Sequence, residues 1–257
     1  MRKVWLIAKT ILIEAVRRKE IYVVALISAL LILFVGVFRF FGISSLHKFF
    51  REVSLTVMNW ATMIIVILLA ARQLPREFEA RTIYPLLAKP VSRLHFLVGK
   101  LVGTLLAAAI AYVVFMGAFF IGELQIGVPL KWWTFLQMIY LRFVALAILG
   151  ALTLMLSTLM THSATLTVAF LFFVFSEQIT SFIRVYYYED VGEWMRRLLV
   201  VLNYVVPQLA LGDLTIKVVH DWPPVPAWVL GFWTVDAAVF VAVFFAVGFL
   251  MFRRREI

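Results

Sequence analysis

Three charged residues lie inside stretches that are otherwise apolar, and they are the side chains best placed for chemistry in this chain. Arg142, Glu177 and Asp236 each interrupt an apolar run of the length that crosses a bilayer. At a helical rise of 1.5 Å per residue, all three lie about 9 to 12 Å from the same boundary. An isolated charge at that depth costs at least a few kcal/mol, so such residues usually pair or face a cavity. One arginine could pair with one or both carboxylates, either within a protomer or across a dimer seam. Such a pair would fix helix packing, or it would form a polar wall of a substrate path or an outer gate.

Residues for metal or nucleophilic chemistry are not grouped in the sequence. The chain has no cysteine, and its four histidines fall in separate loops without metal-ligand spacing. Neither a Gly-x-Ser-x-Gly elbow nor a GxxxxGK[ST] phosphate loop occurs, because no glycine precedes the Gly99-Lys100 pair at the required spacing. We therefore expect no enzymatic activity, and no metal or cofactor bound by this chain.

The composition places these charges in a membrane protein. The chain has 257 residues, of which 64% are hydrophobic and 15% charged, and its mean hydropathy is +1.01. One soluble domain cannot bury that much apolar surface. The net charge of +10 comes from basic residues at the ends of apolar runs, where they orient a membrane protein. Nucleic acid is therefore not expected as a partner.

Six apolar stretches are long enough to span the bilayer, and together they predict an all-α polytopic membrane protein. They are residues 21–38, 53–71, 101–122, 135–159, 164–183 and 228–252. Residues 1–20 have apolar positions at helical spacing among basic ones, which is typical of an amphipathic elbow helix along the membrane face. A solvated basic tail is the alternative. No cleavable signal is expected, since charges interrupt any apolar core of signal-peptide length.

The distribution of basic residues predicts the orientation. An even number of spans places both termini on one side. If that side is cytoplasmic, the first segment, residues 72–100 and the tail contribute fifteen Lys and Arg residues, against eight in the opposite loops. The apolar stretch 198–212 is too short to span and contains Asn203 and Pro207, which predicts a re-entrant or interfacial helix within an outer cap, 184–227.

Residues 72–100 form a compact polar segment between the second and third predicted spans. Glu77 and Glu79 extend the second span as a helix, Thr82 can cap a short helix that ends at Pro90, and Ser92 caps the third span. Such a helix would offer a soluble partner an apolar surface ringed by charges. The alternative from the residues alone is an ordinary basic loop.

The stretch EFEARTIYPLLAKPVSRLHFLVGKLVG resembles the membrane subunits of type-2 ABC transporter permeases, also called type V ABC exporters. The shared pattern is a glutamate, a threonine, a double leucine, Pro-Val-Ser-Arg and a Gly-Lys that opens the third span. It matches Glu77 or Glu79, Arg81, Thr82, Leu86, Leu87, Pro90, Val91, Ser92, Arg93, Gly99 and Lys100. Many members have glycine where this chain has Arg81. The elbow, six spans, short turn between the fourth and fifth spans and outer re-entrant segment are also similar.

The resemblance implies a transport subunit in the plasma (inner) membrane with both termini in the cytoplasm. It implies a homodimer of this chain bound to two copies of a separate cytoplasmic ATPase, which would hold ATP and Mg. Residues 72–100 would then contain the coupling helix, with Glu77, Glu79, Arg81, Thr82, Leu86, Leu87, Pro90 and Arg93 at the ATPase interface. An ATP-independent carrier or channel that uses the intramembrane charges is the alternative. A membrane-bound scaffold or enzyme would leave the capping pattern of residues 72–100 unexplained.

Overall fold

Helices account for the regular structure throughout the part of the chain that the computed structural model describes. The described residues are 2–17, 23, 26, 27, 30, 46–79, 92–188 and 192–254. In chain order the elements are α1 (Arg2–Arg17), α2 (Leu46–Glu79), α3 (Arg93–Ile126), α4 (Trp132–Leu159), α5 (His162–Tyr188), α6 (Glu193–Val205), the 3-10 turn η1 (Leu209–Gly212), α7 (Thr215–Val219) and α8 (Ala227–Arg254). Helices satisfy every backbone hydrogen bond within the segment, as a chain in lipid requires.

Five of the described helices are long and apolar enough to cross a membrane. They are α2, α3, α4, α5 and α8, and they contain the second to sixth predicted spans. The first predicted span, 21–38, lies outside the described residues except for four isolated helical positions. The prediction of an all-helical, multi-pass membrane protein is confirmed.

The core lies where α2, α3 and α4 pack together. Large apolar side chains such as Phe115, Met138 and Leu149 are buried there. α4 and α5 are joined by Met160 and Thr161 alone, which confirms the predicted short turn. We call the end of the bundle where α2 ends and α3 begins the loop end, and the opposite end, where α3 ends and α4 begins, the cap end.

The N-terminal helix α1 packs closely on the first half of α3. Ala8, Ile11 and Ala15 are buried along one face of α1. A Cβ atom at Gly103 would lie 2.6 Å from Ile11 Cδ1 and 3.0 Å from Ala8 Cα, which is too close for any side chain. Gly103 thus allows α1 to approach the backbone of α3. Residues 2–17 of the predicted segment 1–20 are helical, and the position of this helix along the membrane face stays a prediction.

The segment that contains α6, η1 and α7 begins and ends near the cap end. α6 meets the η1 and α7 region at an angle of 51°. Gly212 packs against α4, where an added Cβ would lie 2.9 Å from Ala145 Cβ and 3.1 Å from the carbonyl oxygen of Leu141. After α7 the chain returns to the cap end, where Gln137 Nε2 donates to the Val225 carbonyl and Val225 N donates to Gln137 Oε1, both at 2.8 Å. The segment therefore dips into the bundle and comes back.

Candidate functional site

Arg142 lies on α4 among the core helices and is 3% exposed. Its Nη2 atom is 3.3 Å from Oδ2 of Asp213, which immediately follows η1. This ion pair joins a spanning helix to the segment that dips into the bundle. The counter-charge of the buried arginine therefore comes from a part of the chain that the sequence places in the outer cap.

Asp213 is also held by α2 and by its own chain. Asn59 Nδ2 donates to both carboxylate oxygens at 3.3 Å and to Thr215 Oγ1 at 3.0 Å. The backbone N–H of Thr215 donates to Asp213 Oδ1 at 2.9 Å. The side chain of Asp213 nevertheless keeps 43% of its surface exposed. It is thus a shared acceptor on the edge of a buried polar cluster, which consists of Asn59, Tyr112, Arg142, Asp213 and Thr215.

Several polar atoms of this cluster are buried without a hydrogen-bond partner among the described residues. They are Arg142 Nε, Arg142 Nη2, Asn59 Oδ1 and Tyr112 Oη. The Tyr112 ring packs edge-on against Phe143, the residue after Arg142, with the ring centres 5.4 Å apart, so Tyr112 lies in the same region. A buried polar atom without a partner is costly, so ordered water or another polar group normally satisfies such atoms.

The outcome for the three predicted intramembrane charges is mixed. Asp236 lies half-buried on α8, and no ion pair joins it to Arg142 in the described structure. Within one protomer Asp213 lies beside Arg142 instead, and pairing of Arg142 with a carboxylate across a dimer seam stays a prediction. Glu177 lies within α5, and its side chain is outside the described residues. The signal for Asp213 was a single acidic residue after a glycine in LNYVVPQLALGDL.

A second buried ion pair closes the cap end between α2 and α3. Arg51, fully buried, donates from Nε and Nη2 to the carboxylate of Glu123 at 2.9 to 3.2 Å. Its Nη1 donates to Asp221 Oδ1 at 3.3 Å, and Nη2 also donates to the carbonyl oxygens of Val128 and Pro129. Arg51 therefore fastens the α3–α4 connection and the end of the dipping segment to α2. In the sequence, Arg51 is one of the eight basic residues assigned to the opposite loops.

A third pair joins the same two helices at the loop end. Lys100 on α3 donates to Glu77 on α2, and both side chains are largely buried. Nearby, Gln73 Nε2 donates to Thr104 Oγ1 at 2.6 Å. The prediction that α2 continues as a helix through Glu77 is confirmed. The two helices that flank residues 80–91 are therefore fixed to each other by residues that lie three positions before that segment and nine positions after it.

The start of α3 is fixed to the end of α8. Ser92 is the N-cap of α3, and its side chain accepts a hydrogen bond from His95 N at 3.3 Å, as predicted. Arg93 Nη1 donates to the carbonyl oxygens of Phe252 and Arg253 at 2.8 and 3.0 Å. Its guanidinium also lies 5.4 Å from the centre of the Phe252 ring. Arg93, predicted at a partner interface, has an internal role in joining α3 to α8.

Residues 42–257 match the protein family described as "Protein of unknown function (DUF2705)". The chain belongs to this family. A search of the curated proteins finds no match. The DUF2705 match includes every described helix except α1, and so covers both buried arginines, their carboxylate partners and the ion pair at the loop end.

The remaining predicted residues of the DUF2705 chain are placed as follows. Glu79 ends α2, and its side chain is outside the described residues. The predicted short helix and its interface residues also lie outside the described part: Arg81, Thr82, Leu86, Leu87 and Pro90. Within the described ranges, no three His, Asp or Glu side chains are grouped so that they could hold a metal ion.

Proposed function

We propose that this DUF2705 chain is the transmembrane permease subunit of an ABC transporter, an exporter in which a separate ATPase supplies the energy. The observation that carries the proposal is the attachment of residues 80–91 at both ends. The segment leaves α2 two residues after Glu77 and leads to α3, where Lys100 pairs with Glu77. A force on the segment therefore acts on two spanning helices that are already fixed to each other.

The contacts at the loop end would spread such a force through the bundle. Gln73 and Thr104 form a second link between α2 and α3, one turn deeper than Glu77 and Lys100. Arg93 connects the first turn of α3 to the last turn of α8. Movement of residues 80–91 would thus reach α2, α3 and α8 together, as a coupling element requires.

Charge and topology support the orientation in this proposal. The segments that the sequence assigns to this side carry fifteen of the 24 Lys and Arg residues, so the positive-inside tendency favours a cytoplasmic loop end. The segment of α6, η1 and α7 then forms a re-entrant cap on the outer side, and residues 21–38 supply the first of six spans. Because the chain has no phosphate loop, ATP and Mg would bind to the partner ATPase. Two copies of this chain and two ATPases would complete the transporter.

The test is to isolate the tagged chain from its own membranes in mild detergent and to measure bound ATPase. We expect an ABC ATPase to copurify in near-equal amount and to hydrolyse ATP when the complex is placed in nanodiscs. The double substitution Leu86→Asp and Leu87→Asp should release the ATPase while the chain stays inserted.

A matched control puts the same change on the opposite side. Ile216 on α7 is an exposed apolar residue, and Ile216→Asp should leave the ATPase bound. If the chain copurifies with no ATPase, or if the Leu86 and Leu87 substitutions leave the complex intact, the proposed coupling role is wrong.

The buried Arg142–Asp213 pair favours a second candidate, an ATP-independent carrier or channel, since intramembrane ion pairs often line transport paths. That candidate predicts flux driven by an ion gradient in vesicles that contain the purified chain alone. Flux without ATPase would favour it over the ABC proposal, and strictly ATP-dependent flux would exclude it.

A further inference from the structure

The two buried arginines, Arg51 and Arg142, differ in the hydrogen bonds that their guanidinium groups make. Arg51 uses the edge of its guanidinium formed by Nε and Nη2 to hold both oxygens of Glu123. In Arg142 the same edge donates no hydrogen bond to any described residue. Its Nη2 only approaches Asp213 Oδ2, at 3.3 Å. Arg51 is thus satisfied within the chain, whereas on this edge Arg142 has only the longer contact of Nη2 with Asp213.

We propose that Arg142 is the centre of a binding site for a small oxyanion, and that Asp213 is an internal competitor for it. The Nε and Nη2 edge of arginine matches the paired oxygens of a carboxylate or a phosphate. Tyr112 Oη lies in the same region and has no hydrogen-bond partner in the described structure, so it is available to donate to the anion. The anion is bound by a charge, a bidentate edge and a hydroxyl.

The unpartnered polar atoms around Arg142 also indicate which kind of oxyanion would bind. Asn59 Oδ1 is a buried acceptor without a described partner, and a fully ionised carboxylate has no proton to give it. Hydrogen phosphate carries both ionised oxygens and a P–OH group, and so does a phosphate monoester in its singly ionised form. Such a phosphate would satisfy Arg142, Tyr112 and Asn59 together.

Asp213 provides the route to this site. Asn59 lies eight residues beyond Arg51 on α2, about 12 Å below the cap end, and it contacts Asp213 directly. A carboxylate that is 43% exposed at this depth is incompatible with contact with lipid tails, so its exposed face indicates a polar recess. Release of Asp213 would open the Arg142 edge to that recess. The site does not depend on an ATPase partner.

The direct test is titration of the full chain, in nanodiscs of phosphatidylcholine, with inorganic phosphate against chloride at constant ionic strength. Calorimetry and the shift in melting temperature measure binding. We expect wild type to bind phosphate, and Arg142→Lys and Arg142→Gln to lose most of the affinity, since lysine keeps the charge without the two-donor edge.

Asp213→Asn gives the result that a purely structural ion pair does not predict. An internal competitor that holds the site for about nine-tenths of the time weakens the apparent affinity about tenfold. Removing its charge should therefore tighten phosphate binding by about tenfold. The matched control is Glu193→Gln on α6, which removes the charge of an exposed carboxylate paired with Arg197 and should leave phosphate affinity unchanged.

Hydrogen exchange on the wild type keeps the proposal testable if Asp213→Asn does not fold. Phosphate should increase exchange in residues 209–219, because it displaces Asp213. Nanodiscs that contain phosphatidic acid, a phosphate monoester, identify the source of the oxyanion. If the lipid already increases this exchange and removes the response to phosphate, the ligand is a lipid headgroup; if phosphate still binds, the ligand is soluble. Absence of both responses, or equal phosphate binding by wild type and Arg142→Gln, overturns the proposal.

Discussion

Arg51 and Glu123 are joined by two parallel hydrogen bonds at one end of the α2–α3 pair, and Glu77 and Lys100 are joined at the other end. Glu77 lies 26 residues after Arg51 in one helix, a distance of about 39 Å. The hydrocarbon core of a bilayer is about 30 Å thick. The two ion pairs therefore fit the two surfaces of the membrane, with the apolar contact between α2 and α3 in the core.

Loss of the Glu123 carboxylate should strongly destabilise the chain. Glu123→Ala leaves the buried Arg51 guanidinium with Asp221 as its remaining carboxylate, and breaking a buried pair in this way costs about 3 to 5 kcal/mol. The measurement is the melting temperature of the purified chain in detergent. We expect a clear decrease.

The control for this change is the exposed pair of Glu193 and Arg197 on α6, which are 3.6 Å apart. Exposed ion pairs contribute little, so Glu193→Ala should leave the melting temperature nearly unchanged. Equal effects of the two substitutions would show that the Arg51–Glu123 pair does not hold the cap end together.

Charge exchange should test the ion pair at the loop end. Glu77→Lys places two cations side by side in a largely buried position, and it should lower both the melting temperature and ATP hydrolysis by the proposed complex. Adding Lys100→Glu restores opposite charges and should recover most of both losses. Part of the loss will remain, because Lys100 Nζ also lies 5.3 Å from the centre of the Phe96 ring.

The two readouts separate structure from coupling. Recovery of stability without recovery of ATP hydrolysis would mean that the pair supports folding only. If the single substitution changes neither property, the pair does not transmit movement from residues 80–91.

The packing of α1 on α3 depends on Gly103. Gly103→Val should displace α1, since even a Cβ atom would overlap with Ile11 and Ala8. Hydrogen exchange in residues 2–17 should rise. Gly117 is the control on the same helix, because a Cβ atom there has no neighbour within 4 Å; Gly117→Val should leave exchange in α1 as it is. Equal exchange in the two variants would contradict the close packing.

Hydropathy alone predicted the helices that are long and apolar enough to span the bilayer. Length and apolar content determine which segments can span a bilayer, and α2, α3, α4, α5 and α8 followed from them. Local signals worked equally well where the partners are close in sequence. The Ser92 cap depends on the backbone N–H three residues away, so it could be predicted from the local sequence.

The polar cluster was only half predictable, because its members meet through tertiary packing. Arg142 was predicted as a functional residue because a charged residue within an apolar run can be recognised from the sequence alone. Its partner was not, because Asp213 is 71 positions away in a segment whose dip depends on the close approach of Gly212 to α4. The same reason hid Arg51, which resembles a loop charge until Glu123 and Asp221 are placed around it.

Gln137 should determine whether the chain around Val225, between α7 and α8, stays packed on α4. Its side-chain amide donates to the Val225 carbonyl and accepts from Val225 N, both at 2.8 Å, so it satisfies both polar groups of one backbone unit. Gln137→Leu keeps the size of the side chain and removes both bonds. Hydrogen exchange at the Val225 amide should then increase by about tenfold or more, the change that corresponds to about 1.4 kcal/mol.

The control is Gln125, an exposed glutamine near the end of α3; Gln125→Leu should leave exchange at the Val225 amide unaffected. If exchange at Val225 is unchanged in Gln137→Leu, the cap is held by Arg51, Lys131 and their contacts with Asp221 instead.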